Sequence, residues 1–355
     1  MITLYNSKIT NTPLLATPTL LSNIQSVLQN HTIATADQKL EATQERTAKF
    51  KSIKSKLPAN TGLIQISGVL VADKMPMEAL CGMTSYQSIV EQMQAYTQNT
   101  SIKRVLLHIQ SSGGEAYKCF SNCNEVKALA QKHGIELIAY VDGQAASAAY
   151  AFASIADQIV AHPESNSIGS IGVVMQLVND SKALEQKGYN RQFVYSGNSK
   201  IPFAQDGTFK AEFIQELQSK IDETYQTFVT HVSINRKLSK ADVIKTEAKT
   251  YTAKNAKSLK LIDSLMTESE LFEYLGKPLI RIKPVSAPSA TTSATTSASK
   301  VEVKANIKVE QATEKLRDLK AIAEQRKAEL SMSDTDKAEL QRKRALEQFR
   351  KQNNL

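Results

Sequence analysis

Residues 103–150, KRVLLHIQSSGGEAYKCFSNCNEVKALAQKHGIELIAYVDGQAASAAY, decide the fold. Two apolar runs, RVLLHI and ELIAYV, flank a stretch whose apolar and small residues recur at helical spacing and which stops at His133-Gly134, a C-terminal helix signal. Strand, crossover helix and strand in that order predict a parallel pair within an α/β domain. GLIQISGVLV on the N-terminal side, and DQIVAH and QFVYS on the C-terminal side, continue the same rhythm from Gly62 to about Asp263.

Ile214, Leu217, Ile221, Tyr225, Phe228 and Val232 recur at spacings of three and four, which predicts one face of a long amphipathic helix. That face is expected to pack on the sheet or on a neighbouring subunit. Thr267 and Glu270 form a capping box ahead of LFEYLG, a helix that Gly276 ends. Four segments follow: a partly helical, lysine-rich arm over 1–60, an α/β domain over 61–283, an Ala/Ser/Thr/Pro linker over 284–300 and a charged helical, scaffold-like tail over 301–355.

Composition narrows the function classes. Forty-one per cent hydrophobic and 22% charged residues in a 355-residue chain describe a protein able to bury a core. The formal charge of +9 could suit an acidic partner, but the lysines are scattered and no aromatic residues interleave with them, so no nucleic acid is expected. Cys81, Cys119 and Cys123 are too few and too odd in number for a disulfide framework and predict buried thiols in a reducing compartment. The N-terminus lacks a basic start followed by an unbroken apolar run, so no membrane anchor is expected. Nothing calls for a cofactor or a metal.

Two features carry chemistry. Ser111-Ser112-Gly113-Gly114 follows the first strand, and two residues without side chains leave backbone amides open to a developing oxyanion. Alone, such a pair is usually a tight turn. Ser147 stands among alanines in DGQAASAAY at the opening of another helix, where small neighbours let a substrate backbone approach. Alone, it would be read as a capping or packing residue. A nucleophilic serine needs a base, and none of His31, His108, His133, His162 and His231 is well placed; His162, before Pro163, is the best of them.

Taken together, HIQSSGGEAY, VDGQAASAAYAFASIADQIVAHPESNSIGSIGVVM, YSGNSK and TEAKTYTAKNAKSLKLID, in that order, resemble the signal peptide peptidase A (SppA) family of Ser/Lys serine peptidases, in its phage capsid assembly protease branch. The resemblance implies an α/β, ClpP/crotonase-like fold with stacked βαβ units, followed by the helical tail. It implies Ser147 as nucleophile, Lys200 as general base, and Gly113 and Gly114 as oxyanion donors. Chemistry alone does not select Lys200 over Lys182, Lys187 or Lys210. A lysine of ordinary pKa, about 10.4, is protonated at neutral pH, so the base would have to be desolvated, and Ile201-Pro202-Phe203 supplies apolar neighbours. The sequence departs from the family pattern at Ser112, where proline is usual, and at Ala148 and Ala149, where two glycines are usual.

The resemblance further implies a homo-oligomer with the dyad shared between subunits, and protein or peptide substrates such as scaffold and capsid proteins. The expected place of action is the host cytoplasm, within the procapsid. The linker from Val285 to Ser299 is expected to be a site of self-cleavage. Three other readings compete: a cellular cytoplasmic peptidase of the same family, a crotonase-type enzyme that needs only the paired amides, and a non-catalytic assembly platform.

Overall fold

Side-chain alternation along the strands divides the apolar residues between two helical layers. The structure, a computed structural model, describes residues 13–17, 36–74, 82–190, 192–204 and 206–277. These belong to the unit Met1–Leu279. The predicted linker and tail, Cys81 and His31 lie outside the described residues.

Strands β2 (Thr61–Val71), β4 (Arg104–Glu115) and β5 (Glu136–Ala146) form the centre of a parallel sheet ordered β3-β2-β4-β5-β6-β9. Its outer members are β3 (Met83–Ser85), β6 (Gln158–Ala161) and β9 (Ser264–Leu265). On one face, Ile64, Ile66, Val105, Leu107, Ile109, Leu137, Ala139 and Val141 join a core with helices α2 (Tyr86–Thr97), α3 (Cys119–His133) and α4 (Ala148–Ser154). On the other, Leu63, Leu106, Ile138, Tyr140 and Val160 pack with Ile53 of α1 (Ala36–Lys56) and with Leu271 and Leu275 of α9 (Glu268–Gly276). Burial on both faces explains why these strands read as nearly continuous apolar runs. The stacked βα units and the mostly parallel sheet are those expected from the sequence.

The remaining elements are short: β1 (Leu14–Ala16), β7 (Ser167–Gly169), α5 (Ser181–Gln186), α7 (Lys240–Ile244), β8 (Thr250–Tyr251) and α8 (Ala253–Ser258), beside the long α6 (Ala211–Arg236). Gly134 ends α3 in the left-handed conformation, with φ 63°. Thr267 and Glu270 close the expected capping box on α9. Cys119 and Cys123 are free and fully buried.

Three local expectations are corrected. QFVYS is not a strand: residues 192–195 pair with no strand among the described residues, and Phe193, Val194 and Tyr195 are exposed. The glycine pair is not a strand-to-helix turn either. Strand β4 runs on through Glu115, because Val69 and Leu70 of β2 pair with Gly113 and Gly114 after a register shift, and α3 starts only at Cys119. Helix α6 buries Phe228, Val229 and Val232 against α3 and α4 rather than against the sheet, with Phe120 beside Phe228 and the Ala151 carbonyl beside His231, whereas Ile214 at its other end is exposed.

Asp142 sits where β5 leaves register with β4, between the Ile109–Val141 and Ser111–Ala145 pairs. The His108 ring at 3.5 Å and the Lys49 ammonium at 2.7 Å hold its carboxyl well below the usual carboxylate range, against the opposing effect of burial. A depressed folded-state pKa gives stability that is present above the unfolded value of about 3.9 and is lost as pH falls through the folded value. Lys49 is 43% exposed, so solvent screening limits the contribution to about 1 kcal/mol or less. Asp142→Asn should lower the melting temperature at pH 7 by about 2–4 °C at most, and the difference from wild type should shrink below pH ~4; melting curves across pH check this.

Candidate active site

The site forms where β4 and β5 lose their common register. Gly113, at φ 104°, would place a Cβ 3.0 Å from the Ser147 Cβ and 2.1 Å from the Leu15 carbonyl oxygen, so only glycine fits between these two neighbours. A Cβ on Gly114 would lie 1.9 Å from the carbonyl oxygen of Leu70, against the backbone of β2. The pair is thus required by close backbone approach on both sides. Ser111 fixes the bulge from within: its hydroxyl donates to the Gly68 carbonyl at 2.6 Å and accepts from the Gly113 amide at 3.2 Å.

Ser147 occupies the residue between β5 and α4 and has φ 56° and ψ −119°, a conformation that L-residues rarely adopt and that costs of order 1–3 kcal/mol. Its amide donates to the Gly169 carbonyl at 2.7 Å, and its carbonyl accepts from Ala151 at 3.0 Å. These bonds hold the turn while β7 continues beside the end of β5. Every residue of α4 is buried, and alanines at 148, 149, 151 and 153 let this helix sit beneath the serine. Ser147 Oγ is itself buried and has no hydrogen-bond partner among the described residues. An orphaned buried hydroxyl costs about 1–3 kcal/mol and calls for an explanation in function.

The structure brings Ser147 and Gly113–Gly114 together and leaves Lys200 apart. Lys200 ends a 3-10 turn, Asn198–Lys200, and is exposed, with no side-chain hydrogen bond or ion pair among the described residues. The adjacent Ser199 hydroxyl bonds Glu216 of α6 at 3.0 Å. The desolvation expected of a lysine base is therefore not supplied around Lys200 by the described residues of its own chain. Around this turn, Phe193, Phe203, Phe209 and Phe213 form a stacked series with ring centroids 5.0–6.1 Å apart. Among the histidines, His231 is buried in α6 beside the Ala151 carbonyl, and burial pushes its ring below the usual histidine range. His108 is enclosed in β4, and His162 follows β6 with Nδ1 accepting from the Glu164 amide. None bonds Ser147.

Sequence reasoning missed a participant. Strand β1, Leu14–Ala16, lies within the N-terminal arm and runs antiparallel to Gly113–Glu115. The Ala116 amide donates to the Pro13 carbonyl and the Thr17 amide to the Ser112 carbonyl. Hydrogen-bonded pairs alternate along an antiparallel ladder, so the pair between these two, Leu15 with Gly114, is also hydrogen bonded, and the Gly114 amide faces the Leu15 carbonyl. Among the described residues, no group of three or more His, Cys, Asp or Glu could hold a metal ion.

The strained serine and the crowded second glycine both give measurable consequences. Ser147→Gly should raise stability by about 1 kcal/mol, because relief of the positive φ and of the orphaned hydroxyl outweighs the entropy cost of glycine. Gly114→Ala should lower it by more than about 2 kcal/mol through collision with the β2 backbone. Denaturant titration of the two variants beside wild type measures both.

Comparison with known proteins supplies the context. Head-tail preconnector protein GP5 of Enterobacteria phage P21 is 30% identical over 217 residues, which are 61% of this chain and 43% of that protein. Capsid assembly protease C of Escherichia phage lambda is 28% identical over 209 residues, 59% of this chain and 47% of that protein. The chloroplastic serine protease SPPA of Arabidopsis thaliana is 25% identical over 206 residues, 57% of this chain and 30% of that protein. The matched stretch spans less than half the length of each of these relatives. Residues 129–279, from within α3 to just past α9, match the model of Peptidase family S49.

Proposed function

We propose that this chain is a serine endopeptidase that uses a Ser-Lys dyad, with Ser147 as nucleophile and Lys200 of a neighbouring copy as general base. The observation that carries the reading is Ser147 itself: a buried hydroxyl without a partner among the described residues, on a strained turn, at the start of a buried helix and beside the glycine pair. Strain and an unsatisfied polar group persist where the chemistry uses them.

In this reading Ser147 Oγ attacks the substrate carbonyl while its proton passes to the lysine, and the developing oxyanion is met by the Gly114 amide. The amide of Ala148, in the first turn of α4 and without an intrahelical acceptor, is the second donor. Gly113, whose amide is engaged by Ser111, shapes the turn and leaves room for the serine. The lysine then returns its proton to the leaving amine, and water hydrolyses the acyl-enzyme. A second copy desolvates Lys200 on assembly. The exposed Phe193, Val194 and Tyr195 that precede that turn support this, since they give a partner an apolar surface to cover.

The names of the phage relatives favour capsid assembly as the setting. The substrates are then scaffold and capsid proteins, met inside the procapsid within the host cytoplasm. Self-cleavage in the 284–300 linker would release the tail. No helix among the described residues is long and apolar enough to cross a membrane.

Ser147→Ala and Lys200→Ala should each lower turnover of a coexpressed scaffold protein by about 10³-fold or more. Mixing the two inactive chains should restore part of the activity if the dyad spans subunits. Undiminished cleavage by Ser147→Ala would end the nucleophile assignment. Absence of rescue in mixed oligomers would return the base to the same chain.

A further inference from the structure

The segment Pro13–Thr17 lies where an extended peptide would have to lie to reach Ser147. It pairs antiparallel with Gly113–Glu115 on one side. On the other side Leu14 forms a two-way bridge with Val174, each amide donating to the other's carbonyl at 2.8 and 2.9 Å. The segment is therefore clamped between two backbones, as a strand added to a sheet edge is. Leu14 and Leu15 are both buried, with Leu15 fully enclosed in the main core cluster.

Register makes the placement specific. The Leu15 carbonyl oxygen and the Ser147 Cβ lie 2.1 and 3.0 Å from the same point, the Cβ position of Gly113, and so are no more than about 5 Å apart. The same carbonyl faces the Gly114 amide, which is the donor assigned to the oxyanion. A fixed structural strand in this position would close the groove to every other peptide and leave the Ser147 hydroxyl permanently orphaned.

We propose that Pro13–Thr17 is a built-in occupant of the substrate groove, seated in the manner of a substrate with Leu15 as the residue on the acyl side. The segment must leave before another peptide binds, and its sequence reports the preference of the groove for an extended peptide with apolar side chains at two successive positions. The inference rests on the peptidase reading only in taking this groove as the place where substrate binds.

Peptide binding to the full-length chain tests it, with Ser147→Ala in every arm so that failure of the dyad chemistry leaves the result untouched. The probe is a fluorescent peptide copying residues 12–18, TPLLATP. Leu15→Glu, which cannot keep its side chain in the apolar core, should bind the probe at least 10-fold more tightly than the parent. Leu14→Cys with Val174→Cys should form a disulfide across the bridge, since facing residues of such a pair lie about 5.5 Å apart at Cα. The oxidised form should lose probe binding and regain it on reduction. Binding by Leu15→Glu no tighter than the parent overturns the proposal. So does equal binding, or none, by the oxidised and reduced double-cysteine protein, and this arm decides the matter if Leu15→Glu fails to fold.

Discussion

The site depends on how closely three backbones approach one another at Gly113 and Gly114. Strand β2 presses on Gly114 from one side, while the Ser147 turn and strand β1 press on Gly113 from the other. No side chain larger than hydrogen is compatible with that spacing, so the glycine pair determines how near Ser147 comes to the Gly114 amide. Ser111 stabilises the same bulge with two hydrogen bonds, one of which removes the Gly113 amide from circulation. Geometry thus separates adjacent glycines that look equivalent in sequence: one makes room for Ser147, and the other turns its N–H to the Leu15 carbonyl.

Much of the architecture was legible because its signals are local and periodic. The βαβ unit shows in the alternation of RVLLHI and ELIAYV, in the helical spacing between them and in the Gly134 stop; the α9 cap shows in Thr267 and Glu270. The misreadings have physical causes. QFVYS has strand composition but finds no sheet edge, and composition does not report whether a partner exists. The glycine pair reads as a turn because glycine weakens strands, yet β2 supplies enough pairing to carry β4 onward. Strand β1 was illegible: three residues hold no period, and their partner lies about a hundred positions downstream.

The candidate site was legible in part, and for the same reason. Ser147 and the glycines stand at strand ends, where small residues signal close approach. A lysine that acts by being desolvated carries no local mark, because desolvation belongs to whatever covers it. Lys200 is exposed on its own chain, and the apolar surface around it, with the half-covered face of α6, is what a long-range partner would have to explain.

The bond from the Ser147 amide to the Gly169 carbonyl has a temporal side. Gly169 belongs to β7, which is itself paired with Thr250 of β8, and the next amide, Ser170, donates to Lys249. The turn that poises the serine is therefore braced by residues synthesised roughly a hundred positions later, and domains generally fold as units during synthesis. A chain still emerging from the ribosome carries the serine without the brace. The strained turn at Ser147 takes shape only once the distal part of the domain has been made.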